Sequence, residues 1–187
     1  DSQTIVGVLF QPSVPVFGSF VRVAPDGGSV LFGESSQHHI WQVPLTGGVP
    51  QVVATVEFNY AATFLDAGRL LISHAQPGWQ NTDIVALDLH SGGIDVIATV
   101  PGVSGPLAFD RFGTLHYGVN SAVFPAPPAS GAVISWTAAQ IAGAIGPAVL
   151  GEVDAASVLV GLGAVSDLVF DEEGDLIVSD SIAATVV

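Results

Sequence analysis

The 187-residue chain is 49% hydrophobic and 11% charged, with seventeen acids against three bases (Arg22, Arg69 and Arg111), no lysine and a net charge of −14. That composition suits a folded domain and excludes wholesale disorder, and the charge excludes nucleic acid and anionic membrane surfaces as partners, because phosphates need basic contacts. The absence of cysteine excludes disulfides, thiol nucleophiles and thiolate-held metals.

The chain opens at Asp1 with neither a methionine nor a basic and apolar leader. We read a removed leader or a piece of a longer chain. Lysine depletion with abundant Ala, Gly and Val suits an exported bacterial protein, secreted or periplasmic. The first strand expected is Thr4–Phe10, "TIVGVLF", which has no hairpin partner of its own.

A repeat then begins. "SFVRVAPDGGSVLFGES" places an apolar run on each side of a turn at Asp26, Gly27 and Gly28. "AATFLDAGRLLISHA" turns at Asp66 and Gly68, "LAFDRFGTLHYGVN" at Asp110–Gly113, and "LVFDEEGDLIVSD" at Asp171–Gly174. The turn aspartates lie 40, 44 and 61 residues apart. Asp can cap a tight turn through its side chain, and Gly takes a positive φ without steric cost. After the first hairpin come "HIWQVPL" and "PQVVATV"; after the second come "DIVALDL" and "IDVIATV". Four antiparallel strands in a unit of about 40–45 residues are the mark of a β-propeller blade. The units are 17–56, 57–102, 103–163 and 164–187.

The third unit carries extra length. "FPAPPASG" (Phe124–Gly131) reads as a surface loop. In "ISWTAAQIAGAIG", Thr137 is placed to cap a short helix that Gly143 or Gly146 ends. Ser130–Gly151 has no charge over 22 residues, enough to span a bilayer. Its Ala, Gly and Ser, with Gln140 and Pro147, argue against a membrane span. The fourth unit stops after two strands and "AATVV". We therefore expect an all-β propeller-type array of about four blades, closed by strand Thr4–Phe10 or left as an incomplete ring.

The phrases "LAFDRFGTLHYGVN" and "LVFDEEGDLIVSDS" resemble the blade motif of the NHL-repeat and gluconolactonase/regucalcin (SMP-30-like) propellers. The resemblance implies the fold. It implies function far less, since the same blade serves lactonases, lyases, adhesins and scaffolds. In gluconolactonase-like members the stretch matching "IVSDS" supplies oxygen ligands to a metal in the central cavity, which puts weight on Asp180. Where the family has Asn-Gly, this chain has Ser166-Asp167.

The residues six past each turn glycine are Glu34, His74, Val119 (with Asn120 beside it) and Asp180. Radial symmetry would gather Glu34, His74, Asn120 and Asp180 at one mouth of the channel. There they would hold a divalent cation such as calcium, or simply form a ring of polar strand ends meeting solvent. Other candidates read more plainly. His38-His39 falls at a strand edge, where adjacent side chains face opposite sides and cannot share a metal. "DEEGD" (Asp171–Asp175) lacks the alternating carboxylates of a calcium loop. Trp41 and Trp136 suit the spaces between blades, whereas Trp79, in the loop "QPGWQNTD", suits an exposed ligand-binding platform. No G-x-S-x-G, H-E-x-x-H or phosphate-binding glycine motif occurs. The leading expectation is a non-enzymatic propeller module for binding or extracellular structure. The alternatives are a metal-dependent lactonase-like hydrolase, and a subunit that self-associates through open blade edges.

Overall fold

The Asp–Gly turns close as their residues require. Asp26 Oδ1 accepts from the Gly28 amide at 2.8 Å and Asp66 Oδ1 from the Gly68 amide at 2.9 Å. Asp110 accepts from Phe112 and Thr114, and Asp171 from Gly174 and Asp175, each at 2.8 Å. Gly113 (φ 78°) and Gly174 (φ 94°) take the left-handed position, as expected. In the first turn that position falls to Gly27 (φ 67°). The second turn is instead braced by Arg69, whose Nη2 donates to Asp66 at 2.6 Å.

The computed structural model describes residues 16–146 and 149–187. The expected strand Thr4–Phe10 lies outside the described residues. Four antiparallel sheets follow one another along the chain. The first holds β1 (Gly18–Val23), β2 (Ser29–Glu34), β3 (His39–Pro44) and β4 (Gln51–Thr55). The second holds β5 (Asn59–Phe64), β6 (Arg69–Ala75), β7 (Asn81–Asp88) and β8 (Ile94–Pro101). The third holds β9 (Leu107–Phe109), β10 (Leu115–Val119), β11 (Gly131–Trp136) and β12 (Ala156–Leu162). The fourth has three strands, β13 (Val165–Phe170), β14 (Leu176–Asp180) and β15 (Thr185–Val186). Each sheet is a blade in which strands pair in chain order, so the fold is the expected all-β propeller of four blades.

Blades stack through their alternating faces. In β6, Leu70 and Ile72 pack toward blade 1 while Leu71 packs toward blade 3. All three are fully buried, which is why "RLLIS" is apolar without alternation. Phe20, Leu31 and Ile40 fill the junction of blades 1 and 2, and Val133, Val165, Leu168 and Val178 that of blades 3 and 4. Trp136 is fully buried in the junction of blades 2 and 3, and its Nε1 donates to the Gly151 carbonyl at 3.2 Å.

The insert in blade 3 forms the helix α1 (Ala138–Ala144). Thr137 and Gln140 make a reciprocal capping box, and Ile141 and Ala144 bury against blade 2. Among the described residues no helix is long and apolar enough to cross a membrane.

The first strand of each blade contacts the next, β1 to β5, β5 to β9 and β9 to β13; no comparable contact joins β13 to β1 among the described residues. Val21 and Val23 on one end blade and Val169 and Ile177 on the other are exposed.

Candidate functional site

Register places the four strand-end candidates equivalently. Glu34 pairs with Gly18, His74 with Asn59, Asn120 with Val103 and Asp180 with Val165, each at the entry of a blade's innermost path. The equivalent positions lie six residues past the turn glycine in blades 1, 2 and 4 and seven past it in blade 3, where Asn120 rather than Val119 takes the place. Three of those side chains are engaged by backbone groups. The Glu34 side chain is fully closed off; Oε2 accepts from the Ser36 and Gln37 amides at 2.8 Å, and Oε1 from the His39 amide at 3.1 Å. Asn120 clamps blade 4 to blade 3, donating to the Val165 carbonyl at 2.9 Å and accepting from the Val165 amide at 2.8 Å. Asp180 Oδ2 accepts from the Gly163 amide at 2.6 Å, while Oδ1 accepts from Ala164, Ile182 and Ala183. These bonds, that from Gly163 foremost, hold its carboxyl down at about 2. His74 is half-buried, with Nδ1 enclosed and unbonded.

A cation at this ring would have to displace backbone donors from Glu34 and Asp180. As they stand, their oxygens do not fit a metal. Among the described residues no three His, Asp or Glu side chains gather into a metal-binding group.

One residue further on, the register slips in blades 1, 2 and 4: between Gly18 and Phe20, Asn59 and Ala61, and Val165 and Asp167. Such bulges re-aim a side chain out of the pleat. The residues they release are Ser19, Tyr60 and Ser166, and all three line one open cleft bordered by the first strands of blades 1, 2 and 4, which is the central channel of this array. The channel has a volume of about 600 Å3, and Arg22, Pro106 and Asp167 also face it. Arg22 is fixed by its Nε donating to the Ala62 carbonyl at 2.6 Å and its Nη1 to the Val21 carbonyl at 2.8 Å. Tyr60 reaches across to the Ser166 carbonyl at 3.4 Å. Burial raises its phenol pKa, and the negative charge of Asp167 adds to this. The repeat pattern did not reveal these residues, because a one-residue slip is invisible to an apolar alternation.

At the mouth above the channel sits a second cavity of about 550 Å3, walled by Phe58, Tyr60 and Trp79 and floored by Ser19, Asn59 and Ser104. His38, Phe58 and Trp79 form an aromatic row, with ring centroids 5.1 Å and then 4.8 Å apart. All three hold left-handed backbone (φ 65°, 47° and 61°), unusual for residues with a Cβ. Strain of this kind concentrates at functional sites. The Phe58 amide donates to His38 Nδ1 at 3.2 Å, which ties the row together. Asn59 is locked beside it, donating to the Glu34 and Val56 carbonyls and accepting from the Ser19 hydroxyl. The Ser104 hydroxyl is buried and has no partner among the described residues. Trp79 is about half exposed, as its loop composition implied. His38 and His39 are half-buried and turned to different neighbours, Phe58 and Glu34. The "DEEGD" acids form the solvated turn expected of them.

No protein-family model matches the chain, and comparison with curated proteins finds no match. Solved structures do match. A gluconolactonase from Xanthomonas campestris superposes with a TM-score of 0.68 at 17% identity, over 92% of this chain and 57% of its own. A chain of the nidogen–laminin complex gives 0.66 at 14%, over 89% and 56%. The calcium-binding regucalcin of Agrobacterium tumefaciens gives 0.64 at 13%, over 91% and 52%. This chain thus spans little more than half the length of the structures it matches. At such identities the likeness is one of fold.

Proposed function

We propose that this chain is a ligand-binding propeller module whose mouth takes a sugar-like molecule against Trp79. The observation that carries the reading is the strained pair Phe58 and Trp79 walling one cavity with Ser104, whose hydroxyl has no partner among the described residues. An aromatic face receives the apolar face of a sugar ring, and fixed hydroxyl and amide groups sort its hydroxyls. Titration with mono- and disaccharides, read by tryptophan fluorescence, tests it. Trp136 is fully buried and Trp41, half-buried in blade 1, does not line this cavity, so a ligand at the mouth reports through Trp79. The expected result is a saturable change that Trp79→Ala abolishes while the fold, followed by circular dichroism, persists. A flat titration across the panel refutes the reading.

A hydrolase is the second reading, and the fold comparison favours it over a purely structural role. Two of the matching structures are titled gluconolactonases, one of them putative, and a third a luciferin-regenerating enzyme. The Glu34–Asp180 ring, whose carboxylates are taken by backbone amides, does not fit the divalent cation that a metal-dependent version needs. Lactone hydrolysis that rises with added calcium or manganese and disappears with chelator would support this reading; identical rates with and without protein would remove it.

A further inference from the structure

Arg22 is one of three cationic side chains in a chain with seventeen acids, yet among the described residues no carboxylate lies within ion-pair distance of it. Two of its N–H groups are spent on backbone carbonyls that fix the guanidinium, and the rest of the fork remains for a ligand. It is half-buried on the channel wall. A half-buried, positioned guanidinium is a recognition group for carboxylate.

Asp167 faces the same channel. It lies close enough to Tyr60 to raise the phenol pKa, and one of its oxygens accepts from the Leu168 amide at 2.9 Å. A simple anion would meet this carboxylate as well as the field of a chain carrying −14. A molecule bearing both a carboxylate and an ammonium meets neither objection, since its net charge is zero and each end finds its opposite. The volume of about 600 Å3 admits such a molecule with a side chain.

We propose that the central channel binds a free α-amino acid, its carboxylate on Arg22 and its ammonium on Asp167, beside the Tyr60 phenol. The charged pair separates this site from the sugar-like reading of the mouth: Ser19 and Tyr60 border both cavities, but neither Arg22 nor Asp167 lines the mouth.

The test uses the whole chain. Thermal-shift screening of the twenty common amino acids identifies the strongest binder, and calorimetry then compares it with its 2-hydroxy acid and with its decarboxylated amine. The expected result is saturable binding of the amino acid and at least tenfold weaker binding of both analogues. Arg22→Gln should remove the discrimination against the amine, and Asp167→Asn that against the hydroxy acid. Trp79→Ala should leave all of this intact, which separates failure here from failure at the mouth. Equal binding of the hydroxy acid overturns the proposal in favour of a plain anion site. Absence of binding by all twenty overturns it too. So does a loss of stability in both variants without any ligand effect, which would make Arg22 and Asp167 a water-bridged structural pair.

Discussion

Replacing Asp180 by Asn keeps the side chain's shape and removes its charge. The amide retains one oxygen for Ala164, Ile182 and Ala183, but its NH2 group then faces the Gly163 amide, which stands 2.6 Å from Oδ2 in the native chain. A charge-assisted bond is lost and two donors are opposed, a cost of about 2 kcal/mol. Linkage gives a similar size. The carboxyl falls from 3.8 to about 2 on folding, and each unit is worth about 1.4 kcal/mol. Desolvation of the buried carboxylate opposes the backbone donors without outweighing them, leaving about 1–2 kcal/mol. The sign follows from the direction of the shift. A depressed carboxyl contributes its full stability above pH 3.8 and loses it as pH falls toward 2. Urea unfolding of native and Asp180→Asn protein at pH 7, 5, 4 and 3 reads both effects. The variant should be weaker by about 1–2 kcal/mol at neutral pH, a fall in Tm of about 2–8 °C, and the gap should narrow below pH 4. A gap of constant size down to pH 3 would refute the assignment of the effect to the ionised carboxylate.

Asn120→Ala strips the clamp from the Val165 amide and carbonyl and should cost about 2–4 kcal/mol in urea unfolding, because both groups stay buried; a change under about 0.5 kcal/mol would show that blade 4 docks without it. A Cβ at Gly105 would lie 1.7 Å from the Gly118 carbonyl oxygen, so Gly105→Ala should cost more than about 3 kcal/mol or prevent folding. The helical Gly143 meets nothing within 4 Å, and Gly143→Ala should add about 0.5–1 kcal/mol, both changes being read by thermal melts. His116 is packed against Phe170, and burial lowers its pKa below 6.5 despite Asp110 at 3.7 Å. The unfolded chain then takes the proton first, so stability is full above pH 6.5 and declines below it. His116→Phe should flatten that slope in pH-dependent melts, and an unchanged slope would assign it elsewhere.

Local chemistry made much of the architecture legible. A turn needs only four or five residues, so Asp110 with Gly113 and Asp171 with Gly174 announce their hairpins wherever they stand. The repeat of such hairpins implies blades, and Thr137 with Gln140 caps a helix by the same short-range logic. The ring of Glu34, His74, Asn120 and Asp180 was also legible as a set of positions, because the second strand of each hairpin runs a nearly constant length from its turn. Their work was not. Whether a carboxylate binds a cation or a loop depends on which amides fold back over it, and for Asp180 those come from residues 163–164 and 182–183. The channel was decided only in three dimensions. Ser19, Tyr60 and Ser166 enter it because a bulge shifts the register by one, and Arg22 and Asp167 share it because separate blades converge on one axis. Composition and alternation specify what each strand can bury; the positions of side chains brought together from residues over a hundred apart depend on how the blades pack.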